Sequence, residues 1–147
     1  MLNRLVFEHN VFMDPEYCFR IILTMDGNHR IQCNIESSMY YGSDDKEPYF
    51  IKPEDCKKIT DLIDDCSLWT WNKEYHPEGY DVLDGFGWEL EYEDTNEIIG
   101  ANKKKLSISG DNAYPWCFYK LIRALIIAAP ELKDKLEEYA IEKQPVY

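Results

Sequence analysis

The residues of this chain best suited to chemistry are its acids, histidines and cysteines. His76 lies in KEYHPEGYD, where Glu74, Glu78 and Asp81 are close enough in sequence to orient an imidazole. As a general base, His76 would make the chain a small hydrolase. No nucleophile elbow, glycine-rich phosphate cradle or carboxylate dyad accompanies it, and a histidine before a proline in a polar loop is ordinarily exposed. His9, His29 and His76 are too far apart for a local ligand motif, and Cys18, Cys33, Cys56, Cys66 and Cys117 contain no CxxC pair. These cysteines read as reduced, mostly buried thiols of a cytoplasmic protein, forming neither a disulfide frame nor a zinc site. Asp61, Asp64 and Asp65, with Asp44, Asp45 and Glu47, lack the alternating spacing of a calcium loop and read as a solvated face. No metal or cofactor is expected.

The distribution of charge says more. The chain has 28 acidic and 16 basic residues among 147, a formal charge of −12. Such a balance repels phosphate backbones, so direct nucleic-acid binding is disfavoured. Nine carboxylates fall between residues 74 and 97 with no lysine or arginine among them. Within that block Glu89, Glu91 and Glu93 alternate with Trp88, Leu90 and Tyr92. On a strand the three glutamates would share one face, about 6.5 Å apart. Like charges so placed repel, and a physical use for them is to meet a basic groove on a protein partner. The plainer alternative is a solvated outer strand balanced by Lys103, Lys104 and Lys105. Tyr75 and Tyr80 flank the block, and tyrosine suits interfaces because it buries area while keeping a polar tip. The candidate partner-binding residues are therefore Glu89, Glu91, Glu93, Asp94, Tyr75 and Tyr80.

The elements that must carry these residues are legible from periodicity. Tyr17–Met25 reads as a strand, Asp26–Asn28 as a turn, and the return strand alternates Ile31, Cys33 and Ile35 with polar residues. The segment RLVFEHNVF is a candidate further strand. Residues 37–53 read as a flexible polar loop that includes Tyr40, Tyr41, Tyr49 and Phe50. Pro53 suits a helix start, and Cys56, Ile59, Leu62, Ile63 and Cys66 form one apolar stripe. A second hairpin pairs the acidic strand with one containing Leu106 and Ile108, and Ile98–Gly100 is either a short strand or part of a long loop. Pro115 opens a helix that is apolar nearly all round from Trp116 to Ala129, Pro130 ends it, and ELKDKLEEYAIEK reads as a last amphipathic helix. The expected architecture is a single α+β domain over residues 1–147, with an antiparallel sheet of two hairpins against about three helices. At this length it would bury roughly 70% of its unfolded surface. No apolar run approaches the ~20 residues of a membrane span, and the first ten residues lack a signal peptide's pattern.

One resemblance adds to this. VLDGFGWEL followed by SISGDNAYPWCFYKLIRAL resembles small, functionally uncharacterised proteins of Gram-positive and gut bacteria and their mobile elements. Their pattern is a DG-x-x-W strand pair leading through a G-x-N-A-[YF]-P turn into a C-terminal helix. It covers the last half of the chain through Asp84, Gly85, Trp88, Gly110, Asn112, Ala113, Tyr114 and Pro115. In place of the usual tight hairpin turn this chain has EDTNEIIGANKKK. The resemblance implies the fold and a bacterial or phage setting, and it carries no activity. Together these readings lead to the expectation of a non-enzymatic acidic module binding a basic protein partner. It would act as an inhibitor or immunity-type partner of a nuclease or other nucleic-acid-handling protein, of the anti-CRISPR, anti-restriction or toxin-immunity kind. The alternatives are a bacterial or mobile-element protein with no inhibitory role, and the His76 hydrolase.

Overall fold

The computed structural model describes residues 2–37, 47–77, 86–95 and 103–142. Along the chain run β1 (Leu2–Val11), β2 (Phe19–Met25), β3 (Ile31–Ser37), β4 (Tyr49–Phe50), α1 (Pro53–Asp65), β5 (Glu74–Tyr75), β6 (Phe86–Thr95), β7 (Lys103–Asp111), α2 (Phe118–Ala128) and α3 (Lys133–Leu136). The strands make one sheet in the order β4-β3-β2-β1-β6-β7-β5. Both expected hairpins form, β2 with β3 and β6 with β7. β1 lies between them and pairs antiparallel with β2 on one side and β6 on the other. Among the described strands only β5 pairs parallel, through Glu74–Ser109 and Tyr75–Gly110. The fold is α+β.

Alternation decides which face is covered. Leu5 and Phe7 of β1, Ile21 and Leu23 of β2, Ile31 and Cys33 of β3, and Trp88 and Leu90 of β6 all point inward and are buried. α1 meets them with Cys56, Ile59 and Ile63, and α2 with Phe118, Leu121, Ile122 and Leu125. Pro53 opens α1, and Glu54 and Asp55 sit in its first turn, where the helix dipole favours acids. Phe118 stands at the centre, its ring centroid 4.8 Å from Trp88 and 6.2 Å from Phe7.

The G-x-N-A-Y-P segment owes its residue types to this packing. The Trp88 indole N–H donates to the Ala113 carbonyl at 2.9 Å. A Cβ on Gly110 would lie 2.6 Å from that carbonyl oxygen and inside van der Waals contact with Trp88 Nε1, so only glycine fits. Asn112 takes a left-handed backbone with φ 52°, which asparagine tolerates. Its Oδ1 accepts the Phe86 N–H at 2.9 Å. Ala113 is buried, and Tyr114 stacks on Phe118. The turn is thus bonded into the start of β6.

Two segments differ from what their sequence pattern predicts. Residues 37–53 are not all loop: Ser37 ends β3, Tyr49 and Phe50 form β4, and the Tyr49 hydroxyl donates to the Ala128 carbonyl at 2.6 Å. Residues 38–46 and Ile98–Gly100 lie outside the described residues. The last helix is not continuous. Pro130–Leu132 and Glu137–Tyr139 are single 3₁₀ turns on either side of the four-residue α3. That bent path seats Leu136 and Tyr139 in the core region, with Tyr139 stacked on Phe86 at 4.3 Å.

Candidate functional site

The helices occupy one face of the sheet, and the opposite face carries the charge. Glu89 and Glu91 are exposed and Glu93 is half-buried, all three pointing outward from β6, while Trp88, Leu90 and Tyr92 point inward. The three glutamates therefore share one face. Asp94 does not join them. It follows Tyr92 by two residues and so belongs to the helix-covered side. There its charge acts on Asp64 of α1, whose carboxyl is raised mainly by burial and further by Asp61 and Asp94. Tyr75 is likewise a core residue: it is 6% exposed, its ring stacks on Trp88 at 6.1 Å, and its hydroxyl accepts the Asn72 N–H at 2.9 Å. It has no free ring to offer a partner. Tyr80 lies outside the described residues.

Strand register supplies what sequence could not. One lateral row crosses the open face through Glu36, Arg20, Glu8, Glu89, Ser109 and Glu74. Arg20 is shared by Glu8 at 3.2 Å and Glu36 at 3.4 Å. Glu89 stands directly opposite Glu8, where facing Cβ atoms are about 4.5–5.5 Å apart and like charges destabilise. Among the described residues no cation comes within ion-pair distance of Glu89. Its neighbours on β6 are better compensated. Arg4 Nη1 reaches Glu91 at 3.9 Å; Glu93 meets Lys105 Nζ at 3.3 Å and accepts the Asn3 side-chain N–H at 3.3 Å. Beside Glu91 the next row holds Val6 and Ile22, an apolar strip bordered by charge.

Two shallow depressions of about 360 Å³ each run along β6 and β7. One is lined by Lys73, Glu74, Glu89, Glu91, Ser107 and Ser109. The other is lined by residues that include Arg4, Glu93 and Lys105. Carboxylates and serine hydroxyls converge there with three cations, Lys73, Arg4 and Lys105, of which Arg4 and Lys105 pair with Glu91 and Glu93.

His76 is 53% exposed at the side chain, with Nε2 3.6 Å from Glu74 and Nδ1 3.5 Å from Asp111. Among the described residues both ring nitrogens face carboxylates, and Glu78 and Asp81 lie outside the described residues. Among the described residues no three His, Cys, Asp or Glu side chains gather as a metal would need, and no helix is long and apolar enough to cross a membrane.

A second histidine is placed very differently. His9 is 1% exposed on the inner face of β1, stacked 4.9 Å from Phe19. Its Nδ1 lies 2.6 Å from the Tyr17 carbonyl, so that nitrogen carries the proton and donates it. Nε2 is buried without a partner among the described residues. Burial lowers its pKa, with Lys135 acting the same way and the Tyr17 bond and Glu138 opposing. Below the ordinary value of 6.5 the unfolded chain takes up a proton that the folded chain refuses. Stability therefore falls as pH drops through that value, by at most about 1.4 kcal/mol per pH unit, and levels off below the folded pKa. In urea unfolding at pH 7.5 and 5.5 (roughly either side of that value), His9→Gln is expected to lose less stability on acidification than the native chain. An equal or larger loss would refute this.

The chain matches no protein-family model, and no curated protein is significantly similar to it.

Proposed function

We propose that the protein is a non-enzymatic binding module whose open sheet face receives a basic protein partner. The observation that carries this reading is Glu89, with no cation at ion-pair distance among the described residues and set across from Glu8, in a row where Arg20 is already shared by Glu8 and Glu36. The facing of Glu89 and Glu8 works against folding, so a use outside the fold accounts for it. A partner's lysine or arginine between Glu8 and Glu89 would relieve the repulsion, with Ser107 and Ser109 accepting further hydrogen bonds.

The partner class follows from chemistry. Carboxylates about 6.5 Å apart along β6 offer a basic groove the charges that phosphates would otherwise supply. A net charge of −12 would steer the encounter and keep the chain itself off nucleic acid. Inhibition of a nuclease or other nucleic-acid-handling protein, of the anti-CRISPR, anti-restriction or toxin-immunity kind, is the corresponding role, exercised in a bacterial cytoplasm.

The test is affinity capture with the native chain and with Glu89→Lys/Glu91→Lys/Glu93→Lys, at low and at high salt. The native chain is expected to retain a basic protein that high salt releases, and the triple variant to bind it at least about tenfold more weakly. Recovery of the same partners regardless of variant and salt would defeat the reading. Glu89→Gln gives an independent check, since removing a charge facing Glu8 should raise stability by about 0.2–1 kcal/mol in urea unfolding. A loss of stability would mean that Glu89 serves the fold.

A further inference from the structure

Separate from the acidic face, two cysteines far apart in sequence are locked against each other. Cys66 closes α1 and Cys117 precedes α2. The Cys66 Sγ lies 3.8 Å from the Cys117 carbonyl oxygen, and the Cys117 Sγ lies 3.5 Å from the Cys66 carbonyl oxygen. The contact is reciprocal, each sulfur lying over the other residue's backbone. Each sulfur within 3.8 Å of the other residue's carbonyl oxygen makes the two cysteines close neighbours, and a disulfide asks for such closeness, with Cα atoms about 4.4–6.8 Å apart. Their surroundings hold them in place: the Cys66 carbonyl also accepts the Trp71 indole N–H at 2.8 Å, and the Cys66 thiol donates to Leu62 O at 3.2 Å. The remaining cysteines, Cys18, Cys33 and Cys56, are buried, and Cys117 alone is partly open to solvent.

We propose that Cys66 and Cys117 are a redox pair, converted by a small disulfide such as oxidised glutathione into an intramolecular disulfide that staples the end of α1 to the start of α2. Cys117 is the entry point because reagent can reach it. Its thiolate attacks one glutathione sulfur, expelling a glutathione thiolate and leaving a mixed disulfide. Cys66, as thiolate, then attacks Cys117 Sγ and expels the second glutathione thiolate. Two protein thiols are oxidised, one disulfide is reduced to two thiols, and the two protein protons pass to the departing thiolates. Burial and the neighbouring Cys117 push the Cys66 thiol up to about 12, so the second step is slow near neutrality and quickens as pH rises. The bond closes a loop between residues 51 positions apart, long enough to restrict the unfolded chain strongly.

The purified full chain is to be incubated with oxidised glutathione, quenched by alkylation, digested and mapped by mass. The expected result is a Cys66–Cys117 cross-linked peptide, reversed by dithiothreitol, with Tm raised by roughly 5 °C or more. Cys117→Ser should abolish the cross-link and the Tm shift while its reduced form still melts cooperatively. Cys66→Ala should arrest the reaction at the glutathione adduct on Cys117. Three results would overturn the proposal: a native chain that stops at that adduct, a cross-link to Cys18, Cys33 or Cys56, or an oxidised form melting no higher than the reduced one.

Discussion

Trp88→Ala is expected to remove most of the protein's stability. Trp88 is 1% exposed and heads the fully buried side chains by volume. Its ring contacts Phe118 at 4.8 Å, Tyr75 at 6.1 Å and Trp71 at 6.3 Å. It thereby links β6, β5, α2 and the segment that follows α1. Truncating such a residue leaves a cavity that stiff aromatic neighbours fill poorly, at a cost of about 3–5 kcal/mol. The Ala113 carbonyl also loses its indole donor, which adds about 1–3 kcal/mol if the group stays buried. Native domains have about 5–15 kcal/mol in total. A chain that unfolds at room temperature, or melts roughly 10 °C or more below the native one, is the expected outcome. Circular dichroism melts check it, and a native-like midpoint would show that Trp88 is not the centre of this core.

Gly110→Ala is expected to cost about 1–3 kcal/mol, the range for forcing a methyl into a filled core. The new Cβ would press on the Trp88 indole and on the Ala113 carbonyl at 2.6 Å. Neither gives way easily, since one is a buried ring and the other is backbone. The two sources separate in a double-mutant cycle. In a Trp88→Leu background the ring is gone, so the penalty at Gly110 should shrink and only the carbonyl's share should remain. Urea unfolding of the four proteins measures this. Strict additivity would mean that strain at Gly110 has nothing to do with Trp88.

Much of this fold was readable from periodicity because alternation records which face a strand buries. Ile31, Cys33 and Ile35 against Gln32, Asn34 and Glu36, or Trp88, Leu90 and Tyr92 against three glutamates, leave little choice of face. The same rule carries Asp94 to the covered side, and it carries His9, two residues beyond Phe7, into the core. Lateral neighbours were not readable. That Glu8 faces Glu89, or that Tyr75 sits under Trp88, follows from which strands pair and in what register. That pairing depends on contacts between residues dozens of positions apart. A loop reading of Tyr49 and Phe50 failed for the same reason: two residues have no period, and their strand exists because β3 offers an edge to pair with. The C-terminal apolar spacing matches a helix, yet the chain runs through a four-residue helix and a 3₁₀ turn that bring Tyr139 onto Phe86 at the start of β6.

The placing of β1 bears on how the molecule is made. During synthesis β1 emerges ahead of β2, which follows soon enough to zip onto one side of it. The other side must wait until β6, some eighty residues later, has left the ribosome. During that interval the innermost strand of the finished sheet is an outermost one, with a row of unpaired amides and carbonyls beside Leu5 and Phe7. High contact order of this kind slows closure. The chain's most vulnerable moment for strand-to-strand aggregation therefore falls during synthesis, at the very strand that maturity protects best.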